Sequence, residues 1–596
     1  MDAAFVLVLA KRPGVHLTDR VPSTAPPAVL GFPARHRLDR TTAEGAVHLT
    51  AWHAEPERDL GAWYERDGDV AFLAGHVRWR GESWEPASGW AEHLAREAPP
   101  RSLDELQDEL RGIFAVGLLT DGGDGWVMTD VLGLRCLYWA EDDEVLAVSS
   151  RAALVAHALS PGSTPPRDAG TASWLVFTGH HLGDRTGYTG VRVVAPGARL
   201  RLQAGTPVWE QTQPLVVARD DELRRRSVGE LAEIVQEDVA EALRAVLTHP
   251  AERHVIRLTG GKDSRLLLAV AVRAGMAEAF TYETVGPPDL ADVRIAAGLC
   301  EALGLRHETP FLGLGHSEPF ADRFRGFVER TASLVSGWDM NTPTGSPDLR
   351  LTGLCGEPLR RYVQIRDDQL GLDALPRAFP RRAYGRLGLL RRDLADGLHA
   401  EMLDLLATQP HPDTDPRDRV HALYAGGRMR FTRLGPREEI VGDRRVQPLY
   451  SRTTVRAAMA MDPADRTAEL LFAEVMKQAS SLLVEHPFTD AGWDARAQAH
   501  LGLAAPVPVT TEPARPAASA RASGTHATPL MSSIYAAGAD ERVELLREVL
   551  ADAANPAWDV LDRDIAVDAL ARYRELTNVQ RYELFGAATA AVWLER

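Results

Sequence analysis

One stretch constrains the fold more than any other. Residues Arg253-His254-Val255-Ile256-Arg257-Leu258-Thr259-Gly260-Gly261-Lys262-Asp263-Ser264-Arg265-Leu266-Leu267-Leu268-Ala269 read as a strand, a tight glycine turn and the start of an apolar helix. The glycines allow the backbone to approach a ligand with no Cβ in the way. The helix start offers free amides and a positive dipole end, which suits a phosphate. Thr259 and Ser264 add hydroxyl donors, and Asp263 is of the type that holds a phosphate-bound magnesium ion. The Gly-x-x-x-x-Gly-Lys spacing of a Walker loop is absent.

Strand and helix signals continue to alternate after this turn. His254–Leu258, Ala279–Val285, His307–Phe311 and Leu349–Gly353 read as strands, with helices over Asp263–Ala274 and Ala291–Leu303. Such alternation predicts a parallel sheet that binds ligands at the carboxyl ends of its strands. Ser227 with Glu230 forms a capping-box signature for a long amphipathic helix to about Thr248. Beyond residue 380 helices are expected over Ala383–Ala407, Val420–Leu434, Thr453–Ala460, Thr467–Leu483, Glu541–Ala554 and from Asp564 to the end.

The first 212 residues differ. Short alternating apolar runs (Phe5–Leu9, Val47–Trp52, Val70–Trp79, Phe114–Leu119, Trp126–Thr129, Leu146–Ser149, Val191–Val194) predict a strand-rich domain. Helical patches fall at Gly89–Arg96, Leu103–Leu110 and Ala152–Ala158. The expected division is 1–212 and 213–596, with Pro/Ala/Ser/Thr-rich residues 505–528 as a mobile loop.

Composition narrows the function. A net charge of −16 argues against a general nucleic-acid or anionic-membrane binder. Cys136, Cys300 and Cys355 are scattered, which fits a reducing cytoplasm and offers no metal spacing. His180, His181, His307 and His486 show none either. Ala3–Ala10 is too short and lacks the basic leader of a signal peptide, and no apolar run approaches a membrane span. Of 67 basic residues only Lys11, Lys262 and Lys477 are lysines, so a retained lysine is a candidate for a role needing a compact ammonium group.

With these pieces placed, the chain resembles the asparagine synthetase-like family along nearly its whole length. The residues that carry the likeness are Thr259-Gly260-Gly261-Lys262-Asp263-Ser264, Leu110-Arg111-Gly112-Ile113-Phe114-Ala115, Thr129-Asp130 through Tyr138-Trp139, and Thr352-Gly353-Leu354-Cys355-Gly356-Glu357-Pro358-Leu359. The resemblance implies an α/β protein. An Ntn-hydrolase-like αββα domain would precede an ATP-pyrophosphatase domain with a parallel sheet and many helices. It implies that Leu258, Thr259, Gly260, Gly261, Asp263, Ser264, Val285 and Gly353 bind ATP. Magnesium would be held by Asp263 and Glu357, and Lys477 would be catalytic. The family's lysine also aligns nearer Trp493, where this chain has none. Arg360-Arg361, beside Glu357, form a candidate pair for a carboxylate or phosphate.

Two departures bear on nitrogen supply. A working glutaminase of this kind has cysteine after the initiator methionine, where this chain has Asp2. The Asn-Gly-Glu segment appears as Ala74-Gly75-His76. The expected activity is therefore glutamine-independent amide synthesis through an acyl-adenylate. The resemblance is to the branch containing β-lactam synthetase-like and lasso-peptide-cyclase-like enzymes. Leu354 replaces the tyrosine of the β-lactam synthetases, so their acid-base pair is not copied. The expected partner is a substrate carrying a carboxylate and an amine, with a precursor peptide as one candidate. Nucleic acid and membrane are not expected, and a homodimer is a candidate assembly. An intermolecular amide ligase and a non-catalytic nucleotide-binding scaffold remain as alternatives.

Overall fold

The computed structural model describes residues 3–23, 27–30, 32, 34–54, 63–81, 94, 103–211, 220–310, 318–340, 348–360, 387–407, 416–433, 445–489, 492–510 and 539–595. Asp2, Arg361, most of the Gly89–Arg96 patch and most of 505–528 lie outside these residues.

Two antiparallel six-stranded sheets fill the first part of the chain. The strands are β1 (Ala3–Ala10), β2 (His36–Thr41), β3 (Val47–His53), β4 (Trp63–Arg66), β5 (Asp69–Trp79), β6 (Leu110–Leu119), β7 (Gly125–Thr129), β8 (Tyr138–Glu141), β9 (Val145–Ser149), β10 (Arg192–Val193), β11 (Ala198–Gln203) and β12 (Thr206–Gln211). Their orders are β10-β8-β9-β1-β3-β2 and β12-β11-β7-β6-β5-β4. Side-chain alternation builds the layers. Phe5, Leu7 and Leu9 of β1 meet Phe72, Ala74, Ala115 and Val127 between the sheets. Ala4, Val6 and Val8 face the other way, toward helices α2 (Ala152–Leu159) and α3 (Ala169–Phe177). Leu73, Phe114 and Val116 of the second sheet pack outward on α1 (Leu103–Glu109). The layers run helix, sheet, sheet, helix.

The second part follows helix α4 (Val228–Leu247). Both bonds of its Ser227–Glu230 capping box are formed. Strands β13 (His254–Arg257), β14 (Thr281–Glu283), β15 (His307–Glu308), β16 (Leu349–Leu351) and β17 (Arg445–Val446) form a parallel sheet ordered β15-β14-β13-β16-β17. That is a 3-2-1-4-5 order. It reverses between β13 and β16, which places a crevice at their carboxyl ends. Helices α5 (Lys262–Arg273) and α6 (Ala291–Leu303) follow β13 and β14.

Several helices differ from the sequence expectation. Thr467–Leu483 is not one helix. It is broken into Pro463–Thr467, α7 (Leu470–Ala479) and α8 (Ser481–Glu485). Glu469 takes a left-handed φ of 60°, and the extended Ser480 caps α8 through its hydroxyl. Of the Ala383–Ala407 segment, the described residues from 387 are helical only from Arg392, and Leu390 bridges Leu561. The final segment splits into Arg563–Ala571 and α9 (Asn578–Leu594), the latter opened by a Thr577–Gln580 capping box. No helix among the described residues is long and apolar enough to cross a membrane.

The two parts interlock. Helix α9 returns to α3, so Trp174 and Phe177 share a core with Leu584, Phe585 and Trp593. The Tyr450 hydroxyl donates to buried Asp130 and accepts from the Leu132 amide at 2.9 Å. Arg430 donates to the carbonyls of Gly133 and Val194, both at 2.7 Å.

His76, His180 and His181 are among the histidines buried in these layers. Burial depresses their pKa values to about 4, about 3 and about 4. Between pH 6.5 and 4 the unfolded chain therefore binds protons that the folded chain does not. Stability is present above pH 6.5 and lost below it, by about 1 kcal/mol per histidine for each pH unit. Melting followed from pH 7 to 5 is expected to show this loss, and His181→Phe is expected to flatten it.

Candidate functional site

The glycine turn leaves the end of β13 in the centre of the parallel sheet. Leu258 is fully buried; its amide donates to the Glu283 carbonyl, and its own carbonyl accepts from the Thr284 hydroxyl at 2.8 Å. This stitches the turn to β14. Val285, half-buried, lies two residues beyond that strand's end. The turn is internally braced. The Ser264 hydroxyl accepts from the Thr259 amide at 3.0 Å, Asp292 from the Gly260 amide at 2.8 Å, and the Thr259 hydroxyl from the Gly261 amide at 3.2 Å. The first amides of α5 have no partner within their own helix.

Thr489 closes over the turn, its amide donating to the Gly260 carbonyl at 3.2 Å. A Cβ on Gly260 would meet the Thr489 methyl at 2.4 Å. The 486–489 segment is positioned by Arg265, which is fully buried. Its guanidinium donates to the carbonyls of Leu483 at 3.2 Å, His486 at 2.8 Å and Pro487 at 2.5 Å, and lies 3.9 Å from the Phe488 ring centroid.

The second motif follows β16 and presses on the turn from the other side of the crevice. A Cβ on Gly353 would lie 2.6 Å from the Ser264 amide nitrogen, and one on Gly356 2.4 Å from an Asp263 carboxylate oxygen. Cys355, between them, is buried with a φ of +69°. Glu357 is buried, and its Oε2 has no hydrogen-bond partner among the described residues.

A chain of ion pairs runs through the site. Arg360 grips Asp263 with two parallel bonds, Nε to Oδ1 at 3.0 Å and Nη2 to Oδ2 at 2.6 Å. Its Nη1 donates to Glu469 at 2.8 Å. Glu469 also pairs with the Lys262 ammonium, which donates to the Gly492 carbonyl at 2.9 Å and lies 4.7 Å from the Trp493 ring centroid. Burial raises the Asp263 pKa; Arg360 pulls it down, while the Glu357 and Glu469 carboxylates push it up. Burial would raise that of Glu469 too, but Lys262 and Arg360 outweigh it and hold it low. Left-handed backbone is rare outside glycine and concentrates at functional sites. At Glu469 it breaks the helix where the carboxylate meets both cations.

The residues expected from sequence separate into two groups. Leu258, Thr259, Gly260, Gly261, Asp263, Ser264, Gly353 and Glu357 converge on the crevice. Lys477 does not. It lies two turns along α7 from Glu469, half-exposed, with its ammonium 3.8 Å from Glu474 and 3.5 Å from the His500 carbonyl. The scarcity of lysine marked Lys262 and Lys477 equally, and only Lys262 is buried beside the turn. Lys477→Ala is expected to change any activity of this site less than about twofold, since an exposed ion pair contributes little; steady-state rates check it.

Asp263 does not fit a magnesium ion as it stands, because Arg360 holds both its carboxylate oxygens. Among the described residues no three His, Cys, Asp or Glu side chains could hold a metal ion together. Glu469, Thr489, Arg265 and the role of Asp292 were not read from sequence. Each acts across a large sequence separation.

No family model matches the chain, and no curated protein matches it. Among solved structures, the chain is similar to glutamine phosphoribosylpyrophosphate amidotransferase from B. subtilis complexed with ADP and GMP, at 12% identity and a TM-score of 0.23. The match covers 51% of this chain and 65% of that one, just under two thirds of the relative's length. A structure described as the allosteric regulatory enzyme of purine biosynthesis matches at 12% identity and a TM-score of 0.24, covering 63% and 78%. Likenesses this distant say nothing about this chain's activity.

Proposed function

We propose that the chain catalyses ATP-dependent amide synthesis, forming AMP and pyrophosphate and drawing its nitrogen from the substrate. The observation that carries this reading is the braced glycine turn opening α5 at the point where the sheet order reverses. The turn and the first amides of α5 hold the pyrophosphate end of ATP, with the base toward Val285. A substrate carboxylate oxygen attacks the α-phosphorus, the bond to the β-phosphate bridging oxygen breaks, and pyrophosphate leaves. The substrate amine then attacks the acyl carbon, loses a proton, and AMP departs. The protein's part is to position the reactants and place charge where it develops. Asp2 and His76, where a glutaminase needs its cysteine and its glutamate, support nitrogen from the substrate. The favoured product is a lactam or peptide macrolactam.

The Arg360–Asp263 clamp favours a second reading, a scaffold that binds nucleotide without turning it over. Incubation with ATP and acids that carry an amine separates the two. The enzyme reading expects AMP and pyrophosphate in equal amounts, with no change on adding glutamine or ammonia. Glutamine-dependent turnover would overturn the nitrogen assignment. ATP binding with no acid eliciting AMP would leave the scaffold.

A further inference from the structure

We infer that Arg360 takes the place of a metal ion at the acidic side of this site, so that nucleotide binding here does not depend on magnesium. The inference rests on the reading of the turn as a nucleotide site.

A pyrophosphate site needs positive charge beyond what backbone amides supply. Acidic side chains beside such a site ordinarily provide it indirectly, by holding a divalent cation. Here the acids are present, and a cation of the chain's own already sits on them. The Arg360 guanidinium is fixed by both oxygens of Asp263 and by Glu469. Two carboxylates in a fork of this kind hold a guanidinium in one orientation, which a single contact does not. Five N–H groups belong to a guanidinium, and the bonds to described residues use three, which leaves two that no described residue takes. A divalent ion on Asp263 would need the oxygens that Arg360 occupies, and would face the guanidinium's charge at contact distance.

The surroundings are built for this cation. Glu469, whose carboxylate meets Arg360, has a left-handed backbone with a φ of 60°. Lys262 balances its second side. Gly356 has no Cβ where one would strike the Asp263 carboxylate, so the clamp and the second motif lie in contact. Arg360 and Lys262 offset all but one of the charges of Asp263, Glu357 and Glu469 without any added ion.

Two measurements on the full chain test this. The first is titration of nucleotide-free protein with Mn2+, followed by electron paramagnetic resonance. Wild type is expected to bind Mn2+ at least about tenfold more weakly than Arg360→Ala, whose freed acids form a site that Asp263→Asn removes. Equal Mn2+ affinity in wild type and Arg360→Ala, both lost with Asp263→Asn, would overturn the inference. The second is calorimetric titration with ATP. Wild-type affinity in EDTA is expected to lie within about threefold of that in magnesium, while Arg360→Met loses at least about tenfold in EDTA. A wild type that binds ATP only with magnesium would also overturn it. If circular dichroism shows that the alanine or methionine variant fails to fold, Arg360→Lys takes its place. It keeps the charge but loses the fork, so it is expected to bind ATP in EDTA more weakly than wild type, and equal binding would contradict the role of the fork. Failure of ATP to bind under any condition overturns the nucleotide-site reading instead, and the Mn2+ titration still decides what Arg360 does.

Discussion

Arg265→Leu is expected to destabilise the protein by about 3–5 kcal/mol and to abolish nucleotide-dependent activity. Arg265 sits in the first turns of α5, with no exposed surface. It carries the Leu483 carbonyl near the end of α8 and the His486 and Pro487 carbonyls just beyond it. Leucine offers them nothing, and each buried acceptor left unpaired costs about 1–3 kcal/mol. The loss reaches function because the same segment lays Thr489 on Gly260. Chemical denaturation gives the stability change, and ATP titration under native conditions gives the functional one. A variant as stable as wild type would show that the 486–489 segment is held by something else.

Gly353→Ala has the second-largest expected effect. Its Cβ would fall 2.6 Å from the Ser264 amide nitrogen and 2.7 Å from the Asp263 carbonyl carbon, both backbone of the α5 start. No side-chain rotation relieves a clash with backbone, so the β16 loop and the turn must separate. Overpacking of this kind costs about 1–3 kcal/mol. A shift of about 1 Å between positioning groups can lower a rate about 100-fold. Gly397→Ala is the matched control. Gly397 is exposed within the helix Arg392–Ala407, and a methyl added there would meet nothing within 4 Å, so alanine is expected to be neutral or stabilising by up to about 1 kcal/mol. Comparable losses in the two variants would contradict the contact between the motifs.

The sequence carried some parts of this protein openly. The Thr259–Ser264 turn, the Ser227–Glu230 capping box and the α6 limits were readable because each is encoded by neighbours in the chain: glycines, a hydroxyl-acid pair, a 3.6-residue apolar period. Strands β1, β3, β5, β6, β7, β9 and the edge strand β10 were readable from their apolar runs, while the inner strands β8 and β11 were not. Nor was the edge strand β2, with polar residues on nearly every position. The Thr467–Leu483 run reads as one helix because its apolar period continues across Glu469 and Ser480. The structure interrupts it at Glu469, with a φ of 60°, and at the extended Ser480. The sequence offered Asp263 for a metal ion by residue type and Glu357 by resemblance, and Arg360 as a candidate for a carboxylate or phosphate. That Arg360 meets Asp263 itself was not legible, because 97 residues separate them in the chain. Lysine scarcity pointed to the right residue type and gave no means of choosing Lys262 over Lys477.

Exchange of labelled pyrophosphate into ATP is the most direct measurement of the central claim. It reports attack of a carboxylate on the α-phosphorus and its reversal, whatever the amine. With a suitable acid present, wild type is expected to catalyse exchange, Lys477→Ala to match it, and Asp263→Ala, which removes the anchor of Arg360, to fall at least about 100-fold. Exchange that persists undiminished in Asp263→Ala would contradict the assignment of this turn as the site of the reaction.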